Sequence, residues 1–111
     1  MIVMLALAAA ASTPDLGDLS ERLDACLITK TEAFAAANEA ADVTVEAAFH
    51  ACLPERADLR VGLQESLKAD ATLTSAQRRN VEQSSYDLAI TSARGRALVR
   101  LVSKRAANAK N

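Results

Sequence analysis

Apolar residues recur along this chain at spacings of three, four and seven, the period of helices with one buried stripe; no stretch alternates as a half-buried strand does. The first such stripe is Leu19, Leu23, Cys26, Leu27, Phe34 and Ala37, with Glu21, Arg22, Lys30 and Glu32 falling off it. Asp18 and Glu21 form the Asp-x-x-Glu variant of a capping box, with Leu16 ahead as a staple residue, so this helix is predicted to begin at Asp18. Asn38 tolerates a left-handed backbone and marks the turn, and Asp42 is the expected N-cap of the next helix. That second helix is predicted from Val43 to about Leu53, with Val45, Ala48, Phe49, Cys52 and Leu53 on one side. Pro54 lacks a donor and disfavours helix at the residue before it, yet suits the first turn of a new segment. Leu59, Leu63 and Leu67 then continue at spacing four, which predicts a kinked, nearly continuous helix to about Lys68.

Residues 69–73 read as a short connector. Thr74-Ser75-Ala76-Gln77 is a capping box at the start of a long last helix. Its expected packing face is Val81, Ser85, Leu88, Ser92, Gly95, Val99 and Val102, a narrow face of small residues that permits close approach of another helix, with Tyr86, Ile90, Ala93 and Ala97 beside it. The resulting fold class is all-α: a helical hairpin with a kinked second helix and one long basic C-terminal helix packed across it.

The two cysteines change the picture most. Cys26 and Cys52 lie at equal distance from Glu39, in the expected turn, so in an antiparallel helix pair they sit at the same height, both on apolar stripes. A disulfide there closes a loop worth about 3 kcal/mol in the chain-entropy model. Redox-active dithiols keep their sulfurs two residues apart at a helix N-terminus, and this spacing does not match them. The chain begins with an unbroken apolar run, Met1 to Ala11, ending in Ala9-Ala10-Ala11 ahead of the turn-prone Ser12-Thr13-Pro14-Asp15. That pattern predicts a cleaved signal peptide over residues 1–11, although no Lys or Arg precedes the apolar run, and a single helical domain over 12–111 whose last residues, from Ala106, fray. The run is shorter than the roughly 20 apolar residues that cross a bilayer. Leu23-Asp24-Ala25-Cys26 has the shape of a lipoprotein cleavage site, but charged residues separate it from the apolar segment. Export to the periplasm or beyond is therefore expected, and in that oxidising compartment the cysteines pair.

Past the leader, residues 12–111 contain 22 Leu, Ile, Val or Phe and 20 Ala. Alanine buries little area, so the core is lean and a covalent link matters more. The net charge of −1 conceals an asymmetry: residues 15–70 carry twelve carboxylates against five Lys or Arg, and residues 71–111 carry two against eight, giving −7 and +6. The basic last helix is expected to lie on the acidic hairpin. The alternative makes Arg94, Arg96, Arg100, Lys104 and Arg105 a surface for an anionic partner, either an acidic envelope protein or anionic lipid headgroups. Nucleic acid is not expected, because export removes the protein from it and Tyr86 is the one aromatic near these bases.

Candidate chemistry is sparse. His50 is the single histidine, one turn after Glu46, and two such ligands do not complete a metal site. No nucleophile and base are singled out by any motif, so neither an enzymatic activity nor a cofactor is expected. Cys26, an alanine-rich turn, and the run Ala47-Ala48-Phe49-His50-Ala51-Cys52-Leu53-Pro54-Glu55-Arg56 with Leu59 after it resemble a set of short exported bacterial proteins of uncharacterised function. The resemblance implies two widely spaced cysteines, an Arg shortly after the second and a basic C-terminal helix, and it brings no catalytic residues with it. The function expected is that of a non-catalytic helical protein acting through protein contacts; peripheral binding to an anionic membrane through the last helix is the alternative.

Overall fold

The computed structural model describes residues 15–109, and the proposed leader lies outside them. The described residues form four helices: α1 (Leu16–Phe34), α2 (Ala41–Ala51), α3 (Leu53–Lys68) and α4 (Ser75–Ala109). A 3-10 turn, Ala35–Ala37, extends α1 before the chain reverses. The described residues contain no strand, as the periodicity predicts.

Local signals set most helix ends, with two shifts from expectation. α1 begins two residues ahead of Asp18, because Asp15 takes the cap: its Oδ1 accepts the Gly17 backbone N–H at 2.9 Å. Asp18 instead lies in the first turn, favourable for a negative charge, and pairs with Arg22 one turn on. α2 likewise starts ahead of Asp42, with Ala40 at the cap position; Thr44 Oγ1 donates to the Ala40 carbonyl, and Asp42 accepts only from its neighbour Val43. Asn38 adopts φ 58°, the left-handed conformation anticipated at the turn. The Thr74 capping box forms in both directions, with Gln77 N–H donating to Thr74 Oγ1 at 3.1 Å and Thr74 N–H to Gln77 Oε1 at 2.8 Å. Just ahead of it, Asp70 accepts both the backbone N–H and the hydroxyl of Thr72, tightening the connector. Those two bonds hold the Asp70 carboxyl below its usual range, the Thr72 hydroxyl being the larger cause.

The kink falls at Cys52 itself. Its backbone leaves helical geometry (φ −96°, ψ 27°), its N–H is shared between the Ala48 and Phe49 carbonyls, and Arg56 N–H returns to its carbonyl, so α2 passes into α3 with little loss of hydrogen bonding. Pro54 stands in the first turn of α3, where no partner for its nitrogen is needed. Leu53 is thereby turned outward, 58% exposed, rather than joining the Val45, Ala48 and Cys52 stripe.

The core is one cluster running from Leu19, Leu23 and Leu27 of α1, through Val45, Ala48 and Cys52, to Leu59 and Leu63 of α3 and Ile90, Ala93, Ala97 and Leu101 of α4. α1 is its axis, packing on each of the other three helices. Phe34 and Ala37, expected to continue its stripe, are exposed and instead border a hollow with Val43 and Ala47 of α2 at the hairpin turn. Gly62 brings α1 and α3 close: a Cβ there would come within 2.4 Å of Leu19 Cδ1 and 3.3 Å of Leu16 Cδ2.

The largest departure concerns α4. The face expected to pack, Val81 through Val102, points away from the hairpin, with Leu88 68% and Val99 66% exposed and no atom within 4 Å of a Cβ built on Gly95. The neighbouring Ile90–Ala93–Ala97–Leu101 line packs instead. Both lines are periodic; the second packs where small residues at Ala93 and Ala97 let α4 approach α1, and Arg94, Arg96 and Arg100 beside it reach carboxylates of α1 and α2.

Candidate functional site

The basic ridge of α4 is the feature that sequence singles out, and its side chains are spent largely within the chain. Arg96 Nε donates to Asp24 Oδ1 of α1 at 2.8 Å, and Arg100 Nε to Glu32 Oε1 at 3.1 Å. Arg94 pairs with Glu46 of α2. Arg105 Nη2 reaches Thr44 Oγ1, at 3.5 Å, near the start of α2. Among the described residues no carboxylate lies within ion-pair distance of Lys104, which projects near the C-terminal end of α4. Arg96, Arg100 and Lys104 follow one another at spacing four, as a ridge on the α1 side of α4, whereas Arg94 and Arg105 reach α2 from the other side of its buried line; three of the five charges are answered by carboxylates of the hairpin.

Sequence reasoning missed the aromatic part of this region. Phe49 has the Arg56 guanidinium 3.9 Å from its ring centroid and that of Arg94 4.7 Å away, with His50 edge-on at 6.0 Å. His50 Nε2 stands 3.3 Å from Glu46 Oε1, so Glu46 serves both His50 and Arg94. The signal was the seven-residue spacing of Phe49 and Arg56, two helical turns whose backbone hydrogen bonds continue through Cys52. A second missed clip lies nearer the start of α4: Arg60 of α3 donates to Glu82 at 2.7 Å and to Gln83 at 3.0 Å while lying over the Tyr86 ring. Glu82 is only 16% exposed, which makes this the best-shielded ion pair of the described residues.

The disulfide lies between these two clips. Cys26 and Cys52 are joined with their Cα atoms 6.1 Å apart, Cys52 fully buried and Cys26 half-buried. Beside them Glu55 brings a carboxylate oxygen within 4.8 Å of both sulfurs. Two thiolates and a carboxylate are a ligand set for a soft divalent metal, but sulfurs consumed in a disulfide are not thiolates and do not act as that set. The shallow hollow outside it is lined by Arg22, Thr29, Lys30, Glu55 and Asp58, a mixed-charge rim. A more apolar hollow lies at the hairpin turn, between Phe34, Ala37, Val43 and Ala47.

Compared with family models, with curated proteins and with solved structures, the chain matches none.

Proposed function

We propose that this is an exported helical protein of the bacterial envelope, non-catalytic, which acts through contacts with other proteins. The observation that carries the reading is the Cys26–Cys52 disulfide, which joins half-buried Cys26 to the core at Cys52, since a bond of that kind persists in an oxidising compartment and is reduced in the cytosol. The apolar Met1 to Ala11 run supplies the route, as a cleaved signal peptide. Among the described residues no helix is long and apolar enough to cross a membrane. Arg94, Arg96 and Arg100 are engaged by Glu46, Asp24 and Glu32, which favours a structural duty for the ridge over capture of external anions.

Peripheral binding to anionic lipid is the second reading, supported by Lys104 and Arg105 at the end of α4, where no carboxylate of the hairpin answers them. Each such base near an anionic surface contributes about 1 kcal/mol, so two give weak and salt-sensitive adsorption. Co-sedimentation of the oxidised protein with neutral and with acidic vesicles separates the readings. No difference between vesicle types is expected. Binding to acidic vesicles that is lost in Lys104→Gln/Arg105→Gln would replace the first reading by the second. N-terminal sequencing of protein taken from the envelope tests the export step, and an intact Met1 would remove it.

A further inference from the structure

Among the described residues, the outward face of α4 is a seam without a partner. Val81, Ser85, Leu88, Ser92, Gly95, Val99 and Val102 succeed one another at intervals of four and three without interruption, the heptad spacing that keeps a stripe straight along a two-helix contact. Its large members are solvent-facing, with Val81 41%, Leu88 68%, Val99 66% and Val102 51% exposed. Small residues hold its middle, and Gly95 has open space where a Cβ would stand.

We propose that this face pairs two copies of the chain, α4 against α4, in antiparallel orientation. Three observations select that occupant. The seam spans about 30 Å, and a matching straight helix of at least that length is required; α1, α2 and α3 have 19, 11 and 16 residues, and α4, with 35, is the described element long enough to supply it. Ser85, Ser92 and Gly95 dilute the stripe too far for insertion into lipid, which needs a wide face of Leu, Phe or Trp, whereas small residues suit the close approach of a second helix. Charge then sets the orientation. From Leu88 onward every charged residue of α4 is basic, so a parallel pair would align Arg100, Lys104 and Arg105 with their own copies. The antiparallel pair instead lays this end over the start of the second α4, where Glu82 and Asp87 offset Arg78 and Arg79 and the net charge is zero.

One register pairs the apolar members and brings an acidic residue to a basic one. Val81 meets the second copy's Val99, Leu88 its Ser92 and Ser85 its Gly95, each contact occurring twice about the two-fold axis, and at either end Val102 lies along the aliphatic stem of Arg78. Glu82, one residue past Val81, then faces the second copy's Arg96. Arg60 and Gln64 both use Oε2 of Glu82, and Arg96 uses Nε toward Asp24, so among the described residues Oε1 of the first and the terminal nitrogens of the second stay outside those bonds.

Sedimentation equilibrium of the oxidised protein, from micromolar to near-millimolar concentration, measures the association directly. A reversible rise to twice the chain mass is expected. Leu88→Glu and Val99→Glu should each weaken it at least tenfold by placing a carboxylate in the seam, and their melting curves in dilute solution should match the parent, because both side chains are exposed in the single chain. A single-chain mass throughout, or glutamate variants that associate as well as the parent, would overturn the proposal. Orientation is read by mixing Val81→Cys with Val99→Cys chains under mild oxidation: a covalent dimer joining the two supports the antiparallel pair. Efficient self-crosslinking of Val102→Cys would refute it in favour of a parallel one.

Discussion

The two mid-helix glycines show how far an identical substitution depends on its surroundings. Both Gly62 and Gly95 weaken a helix by about 1 kcal/mol relative to alanine. At Gly95 nothing opposes a methyl group, so Gly95→Ala is expected to stabilise the dilute, single-chain protein by roughly 0.5–1 kcal/mol in urea unfolding. At Gly62 the methyl would meet Leu19 and Leu16 inside the α1–α3 contact, and forcing a buried leucine from its rotamer costs about 1–3 kcal/mol. Gly62→Ala is therefore expected to be neutral or destabilising by up to about 2 kcal/mol, and a gain as large as at Gly95 would show that the two helices are not pinned there. Asp70 gives a pH-dependent effect of its own. Its carboxyl is lowered in the folded chain by the two Thr72 bonds, so the contribution is present above the unfolded value of about 4 and fades as pH falls through the lower folded value. Urea midpoints of Asp70→Ala and the parent should differ at neutral pH and converge in acid. A constant gap across that range would assign the difference to something other than the carboxylate.

Among the helices, α4 carries the sharpest question, because its charges could serve the fold or an outside partner. Arg96 and Arg100 bind α1, but these side chains are more than half exposed, and solvent reduces such pairs to at most about 1 kcal/mol each. Neutralising the ridge in Arg96→Gln/Arg100→Gln/Lys104→Gln should lower the thermal midpoint modestly at low ionic strength and less at high salt, where screening has already removed most of the attraction. A triple variant as stable as the parent at low salt would mean that the ridge does not hold α4 in place. The better-shielded attachment of α4 is the Arg60–Glu82 clip, which lies outside the ridge. Helix ends were easier to anticipate than faces: the Thr74 box and the Asn38 turn depend on residues within one turn of each other, and they form as their sequence implies. Asp18 and Asp42 were each displaced from the cap position, because Asp15 and the Ala40 carbonyl sit two or three residues earlier and answer the first free backbone and hydroxyl donors.

At the scale of the whole molecule, a lean core is held by one covalent bond that runs from its interior at Cys52 to its edge at Cys26. Cys52 is fully buried where α2 turns into α3, so the disulfide ties the kink to α1 as well as closing the hairpin. Alkylation without reductant, with intact-mass measurement afterwards, should add no label. Cys52→Ala should cost about 2–5 kcal/mol in urea unfolding, a large share of what a domain of this size has; a loss within a few tenths would show that the core holds the hairpin without the bond. The all-α class, the hairpin, the kink near Pro54 and the cysteine pairing were determined by the sequence alone, since each rests on local periodicity or on two residues equidistant from a turn. Which side of α4 faces inward was decided only by tertiary structure. Its two parallel stripes are equally helical, and the choice between them depended on whether Ala93 and Ala97 fit against α1 and on carboxylates far away in the chain, at Glu46, Glu32 and Asp24. The stacking of Arg56 and Arg94 on Phe49 belongs to the same class: it requires a kink and a fourth helix to be in place before the three side chains meet.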